Sequence, residues 1–469
     1  SLTGPLTGDG GFTKQSGGSL LWDPSDTSGW SGTLRVQGSS FAQGGIRIIS
    51  GNVLGTRANG GTGGVLDING GIVEIRMDTP SLNLSNGSAA NVYQRANAIF
   101  VVDNAPDGTS LVLNQTLNVG NVRFEENRDL VLEGRNGYSI SFTEYLVNGG
   151  NNNTDVFNRL EGGGLATFTG DFGQANDSGN RLYRFEDDGD TLITGGFNMG
   201  ASGNKILHKD GQGTLTIAGT NTTFMDKVEL NRGTIAITDF DSLGSGSTDE
   251  IKLGAENAGS TSNGTSTLQI GGTGTGTPTA AGLTTSRAIV LNGTTGDGVI
   301  RAVQTGGDRI ILNGDITATG AGTKDLILSG TNTSDNIING VISDHSAGNL
   351  TRVHKAGSGT WVLAGNNTYT GETKIDNGIL KIQANTGDTS VINDASEIRF
   401  VTVGARPGPD NILNDESMGG GGTLEFAGNA GENNVETLGN LDVDDGAATV
   451  RLTPGAGGNA SLVFASIDQ

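Results

Sequence analysis

Residues 354–382 read HKAGSGTWVLAGNNTYTGETKIDNGILKI, and residues 208–237 read HKDGQGTLTIAGTNTTFMDKVELNRGTIAI. Lys209 aligns with Lys355, Gly211 with Gly357, Gly213 with Gly359, Thr214 with Thr360, Gly219 with Gly365 and Asn221 with Asn367. After one extra residue in the earlier copy, Phe224 aligns with Tyr369 and Gly233 with Gly378. A distant repeat of glycines, alternating apolar residues and Asn-Thr turns is the signature of stacked β coils. The alternation is plain in Gly213-Thr214-Leu215-Thr216-Ile217, which has the period of a half-buried strand.

Composition agrees with stacking rather than with compact domains. The 469 residues include 81 glycines and no cysteine, with 33% hydrophobic and 5% aromatic residues. Many thin cores strung along an axis need fewer large apolar side chains than one compact core does. No segment keeps helical periodicity over three turns, because glycine interrupts almost every window. Strand-like runs recur instead, for example at residues 33–36, 72–75, 98–102, 111–113 and 423–426, separated by Gly, Asn, Asp and Ser.

The reading is therefore an all-β, right-handed parallel β-helix (β-solenoid) of roughly 20 coils, with strands ~4.7–4.9 Å apart along a rod on the order of 100 Å. It expects one continuous solenoid over residues 1–469. Coils in 1–150 are diverged and less regular; coils in 151–469 are regular, with a Gly/Ser/Thr-rich loop at 254–286 in which Pro278 is the one proline. Inward positions are expected to take Leu, Ile, Val and Trp, outward ones Thr, Lys and Asp. Glycine is expected at corners that need positive φ.

The net charge of −22 excludes the basic face that nucleic-acid binding requires, and no Lys/Arg cluster supplies one. Anionic membrane surfaces are disfavoured for the same reason. No apolar run approaches ~18 residues, so no direct membrane insertion by a helix is expected. The chain opens on Ser-Leu-Thr-Gly, so an exported form is expected to have lost its signal peptide already.

The residues of 354–382 resemble the autotransporter-associated β-strand repeat family, the repeat of passenger regions in large bacterial surface proteins. Lys355, Gly357, Gly359, Thr360, Trp361, Leu363, Gly365, Asn367, Thr368, Tyr369, Gly371, Thr373, Gly378 and Leu380 carry that resemblance. Residues 326–344 and 422–439 are similar to segments that accompany such repeats. The resemblance implies a β-solenoid in an extracellular or outer-surface setting. Unlike a whole autotransporter, the sequence ends on a single strand-like stretch, Ser461 to Gln469, without the amphipathic strands of a membrane barrel.

Chemistry finds little to draw on. Of the three histidines, His208 and His354 occupy equivalent repeat positions and are read as structural, while His345 stands in a turn-like stretch. Without cysteine or clustered histidine, thiolate, Ser/His/Asp and zinc sites lack their parts. No carboxylate pair stands out for glycoside hydrolysis. Glu186-Asp187-Asp188-Gly189-Asp190 and Asp442-Val443-Asp444-Asp445-Gly446 are acidic turns where calcium is conceivable, though neither has EF-hand spacing. Gly320-Ala321-Gly322 and the 272–276 run are read as turns, since a phosphate loop needs a strand-to-helix setting. No catalytic or cofactor-binding residue is assigned, and the chain is read as not an enzyme.

The expected function is a structural extracellular or cell-surface rod, stalk or filament, with self-association head-to-tail or contact with cell-surface components. Its alternatives are an adhesin for glycans or other cells and a polysaccharide-degrading β-helix enzyme. An adhesin is expected to show an aromatic groove, with Trp22, Trp30 and Trp361 as candidates; an enzyme should show carboxylates converging in a cleft.

Overall fold

The computed structural model describes residues 1–15, 17–26, 29–38, 45–49, 65–76, 92–104, 113–125, 128–148, 153–173, 179–198, 203–219, 225–244, 249–254, 265–274, 277–293, 297–387, 390–401, 421–444 and 447–468. It divides into two compact units, Ser1–Met225 and Asp226–Gln469. Strand elements are the rule, and among the described residues the one helical element is a short 3-10 turn at Phe240–Leu243. Every ladder between strands is parallel among the described residues, as a β-helix requires.

In the first unit two long ladders run side by side, besides a short pairing of Thr7–Gly8 with Gly29–Trp30. One stacks Ser19–Trp22, Gly45–Ile48, Gly71–Arg76, Ala98–Asp103, Asp129–Gly134, Thr154–Leu160, Arg181–Glu186 and Lys205–Lys209 in order. The other stacks Phe12–Gln15, Thr33–Gln37, Val65–Asn69, Val92–Gln94, Thr116–Glu125 and Ser139–Asn148. It then splits, Ser139–Asn148 pairing with both Leu165–Phe168 and Phe172–Gly173. The alternation read from sequence holds: Gly71–Arg76 and Arg181–Glu186 bury every second residue.

In the second unit three ladders define the coil. The longest joins Gly233–Ile237, Ser266–Ile270, Asp297–Ala302, Lys324–Gly330, Thr351–Lys355, Thr373–Ile375, Ile398–Phe400, Asn433–Val443 and Asn459–Asp468. A second runs from Thr284–Thr285 through Ile311–Leu312, Asn336–Ile338, Thr360–Leu363, Asn377–Gln383 and Gly421–Ala427 to Thr449–Thr453. The third joins Lys227–Leu230, Ile251–Leu253, Ile289–Leu291 and Ile316–Ala318.

The interior adds one feature to the expectation and corrects another. Aromatic residues, scarce overall, are concentrated in the first unit's core. Phe142 stacks on Phe168 at 5.0 Å, Tyr145 on Phe172 at 5.0 Å, and Phe172 meets Phe197 at 5.1 Å. Parallel register causes this, because Phe142 lies beside Phe168 and Phe172 beside Phe197 in successive rungs. Lysine is also not confined to outward positions: Lys205, Lys209, Lys324 and Lys355 are all buried. Of the strand read at 111–113 only Leu113 is described, and it is exposed and outside any strand. The loop read at 254–286 is corrected, since Ser266–Ile270 within it is a largely buried rung of the longest ladder and Thr284–Thr285 a further strand. Residues 255–264 and 275–276 lie outside the described residues.

Candidate functional site

The sequence repeat becomes a corner device. Its second copy folds as two stacked rungs, Thr351–Lys355 pairing with Thr373–Ile375 and Thr360–Leu363 with Asn377–Gln383. At the corner after the first strand, the Lys355 ammonium donates to Ala356 O and Gly357 O at 2.6 Å each. It also reaches Asn377 O of the next rung at 2.9 Å, so one cation ties two corners together. These carbonyl dipoles help to compensate its buried charge. Gly378 shows why the adjoining position is glycine: φ is +68°, and a Cβ there would sit 2.4 Å from Gly359 O.

The other repeat residues are used in the same way. The Trp361 indole is fully buried and donates to Ser329 O at 2.9 Å. Tyr369 OH shares a 2.7 Å hydrogen bond with Thr373, and burial pushes its phenol above the ordinary range. Asn367 accepts from Ile342 N and donates to Gly365 O and Val391 O, spanning neighbouring rungs. In the first copy Lys209 donates to Asp210 O at 2.9 Å and Gly211 O at 2.7 Å. Lys324 repeats the motif on Ala321 O and Gly322 O, and burial lowers its pKa.

A different feature lies on the outside of the first unit. Where strands of its first ladder turn toward the second, the corners border an open cavity of about 580 Å³ lined by Arg159, Leu160, Glu161, Gly162–Gly164 and Asp187–Asp190. A second cavity of about 340 Å³, lined by Arg76, Asp103, Glu133, Arg135, Arg159 and Glu161 among others, shares Arg159 and Glu161 with the first. Arg159 is fixed between the two, 2.8 Å from Asp187 and 3.5 Å from Glu133. Its guanidinium lies 5.8 Å from the Phe157 ring centroid. Asp187 turns the chain in the left-handed region, φ 69°, which Asp tolerates better than most non-glycine residues. Asp188 and Asp190 each accept a backbone N–H from the next rung, those of Gln212 and Thr214 at 2.7 Å.

Comparison with known proteins follows this geometry. The passenger-associated transport repeat matches residues 207–237 and 353–382, the two segments whose corners are held by Lys209 and Lys355. This chain carries passenger-associated transport repeats. The chain is also similar to the adhesin BmaC autotransporter of Brucella suis biovar 1 (strain 1330), 29% identical over 454 residues. That similarity covers 81% of this chain and 12% of the relative, so the chain spans about an eighth of that protein's length. No solved structure matches the chain.

The repeats leave the residues singled out by sequence in varied places. Trp22, Trp30 and Trp361 do not line an aromatic groove: all three are buried, with Trp22 packed 5.7 Å from Trp30. The apolar pressure that fills the coil draws them inward. His208 and His354 lie half-buried within their repeat strands, beside Arg184 and Lys374 in register; His345 is exposed in a turn closed by the Ser346–Asn349 bridge. Of the two acidic turns, Asp187, Asp188 and Asp190 enter the cavity, whereas Asp442 and Asp444 face Arg399. Asp445 and Gly446 lie outside the described residues. Among the described residues no group of three His, Asp or Glu is placed to hold a metal ion.

Sequence reading missed Arg159, Glu161 and Glu133, since only stacking makes them neighbours. It also missed that Asp129 and Asp155 come together and that both interact with other ionisable groups, among them Glu186 of the acidic turn. Asp129 lies next to Asp155, and Phe157 next to Glu186. Burial first, and then repulsion from Asp155, raises the pKa of both Asp129 and Glu186; burial also raises that of Asp155 itself.

Proposed function

We propose that this chain is a surface-exposed part of an autotransporter-type passenger, in which stacked coils form the scaffold and outward faces attach to the surface of another cell. Similarity to an autotransporter adhesin across 81% of the chain carries this reading. The coil architecture supports it: the repeat residues are used inside the corners, leaving the outward faces open to vary without cost to the stack. The location implied is the extracellular space or the outer cell surface, and the activity proposed is binding without turnover.

Beads coated with the purified chain are expected to attach to cultured epithelial cells in excess of albumin-coated beads. Equal attachment would overturn the adhesive reading. Release of sugars from a polysaccharide panel above blank would overturn the non-enzymatic part.

A further inference from the structure

The adhesive reading leaves its ligand unnamed, and the first unit's corner groove supplies one class; this step rests on that reading. We propose that the groove binds an extended, uncharged polysaccharide strand lying across the rungs.

The shape argues first. The two cavities, about 580 and 340 Å³, adjoin through Arg159 and Glu161. Their polar side chains come from successive rungs: Arg76 stands beside Asp103, and Glu133 beside Arg159, with Asp187 at the following corner. A ligand running along the groove therefore meets a new polar group at each step of ~4.8 Å, close to the length of one pyranose residue in an extended chain. At the corner Gly163 leaves open space where a side chain would otherwise project.

The chemistry argues second. A sugar hydroxyl both donates and accepts, so it is served by carboxylates and guanidinium groups in alternation. The groove offers Arg76, Arg135 and Arg159 against Asp103, Glu133, Glu161, Asp187, Asp188 and Asp190. Carboxylates outnumber arginines, which repels uronate or sialate chains. The same excess would attract a basic peptide, which the experiment therefore sets against the neutral chains. The Arg159 guanidinium is already held by Asp187 and Glu133, so ordering it on binding costs little.

The test titrates the full chain with the neutral hexasaccharides of β-1,4-glucan, β-1,4-xylan, β-1,4-mannan and β-1,3-glucan, followed by calorimetry. A galacturonan hexamer and a lysine decapeptide serve as charged comparators. At least one neutral probe is expected to bind about tenfold more tightly than either comparator. Arg159→Ala and, separately, Glu161→Gln are each expected to weaken it by about tenfold, while Lys381→Met in the other unit leaves it unchanged. Glu161→Gln keeps size and shape, so it remains informative if Arg159→Ala disturbs the corner. The proposal is overturned if no neutral probe binds, if a comparator binds more tightly, or if both groove variants bind as the parent does. Bead attachment that persists when every probe fails would refute the groove assignment and leave the adhesive reading standing. Probe binding without bead attachment would refute adhesion alone.

Discussion

Replacing Lys355 by methionine isolates the corner device of the repeat. The substitution keeps most of the aliphatic stem, so little cavity is created. It removes a cation that donates to Ala356 O, Gly357 O and Asn377 O. A hydrogen bond from a charged group is worth about 1.5–3 kcal/mol, but deleting the ammonium also removes the cost of burying it. Counting about 1 kcal/mol for each buried carbonyl left without its donor gives about 3 kcal/mol. In a stack of coils such a loss is felt by the rungs that share the corner, so a global midpoint is the wrong measure. Hydrogen exchange read on peptides covering 351–383 reports the local opening free energy directly. With a decade for every 1.4 kcal/mol, exchange there should accelerate by about 100-fold. Lys381→Met serves as the control, because Lys381 pairs with the exposed Asp335 at 3.1 Å and such pairs contribute about 0–1 kcal/mol. Exchange in Lys355→Met within threefold of the parent would show that the lysine is not what holds the corner.

Trp361→Ala should cost about 3–5 kcal/mol, since the indole is fully buried, and local exchange across 326–363 checks it. Gly378→Ala should loosen the same two rungs by more than a helix-type glycine substitution, because it combines φ +68° with a contact 2.4 Å from Gly359 O; exchange of residues 377–383 is the readout. The first unit should lose stability as pH rises. Asp129, Asp155 and Glu186 have folded pKa values raised above their unfolded ones, so the folded state holds more protons in that window. Stability is then greatest below the unfolded carboxylate range of about 4 and falls as pH climbs through the raised values. Urea unfolding across this range should show the slope, and Asp155→Asn should flatten it; a slope unchanged by Asp155→Asn would remove these three carboxylates as its source.

The sequence alone determined the class of fold. Apolar alternation, the spacing of glycines and two aligned copies of one segment are local properties, and each rung must satisfy them by itself before it can stack. The positive-φ corners at Gly211, Gly357 and Gly378 were legible for that reason. What depends on register was not legible. Lys355 reads as an outward residue because a lone lysine prefers water, and its burial is served by carbonyls that come together only when two corners stack. The tryptophans were candidates for a surface groove until closure of the coil drew them into its core. The polar groove is the extreme case: Glu133, Arg159 and Asp187 are separated by 26 and 28 residues along the chain. Their meeting is set by rung length, which the turns and insertions of every coil adjust. No local pattern encodes that sum, so the scaffold was written in the sequence while the site emerged only when the rungs were laid on one another.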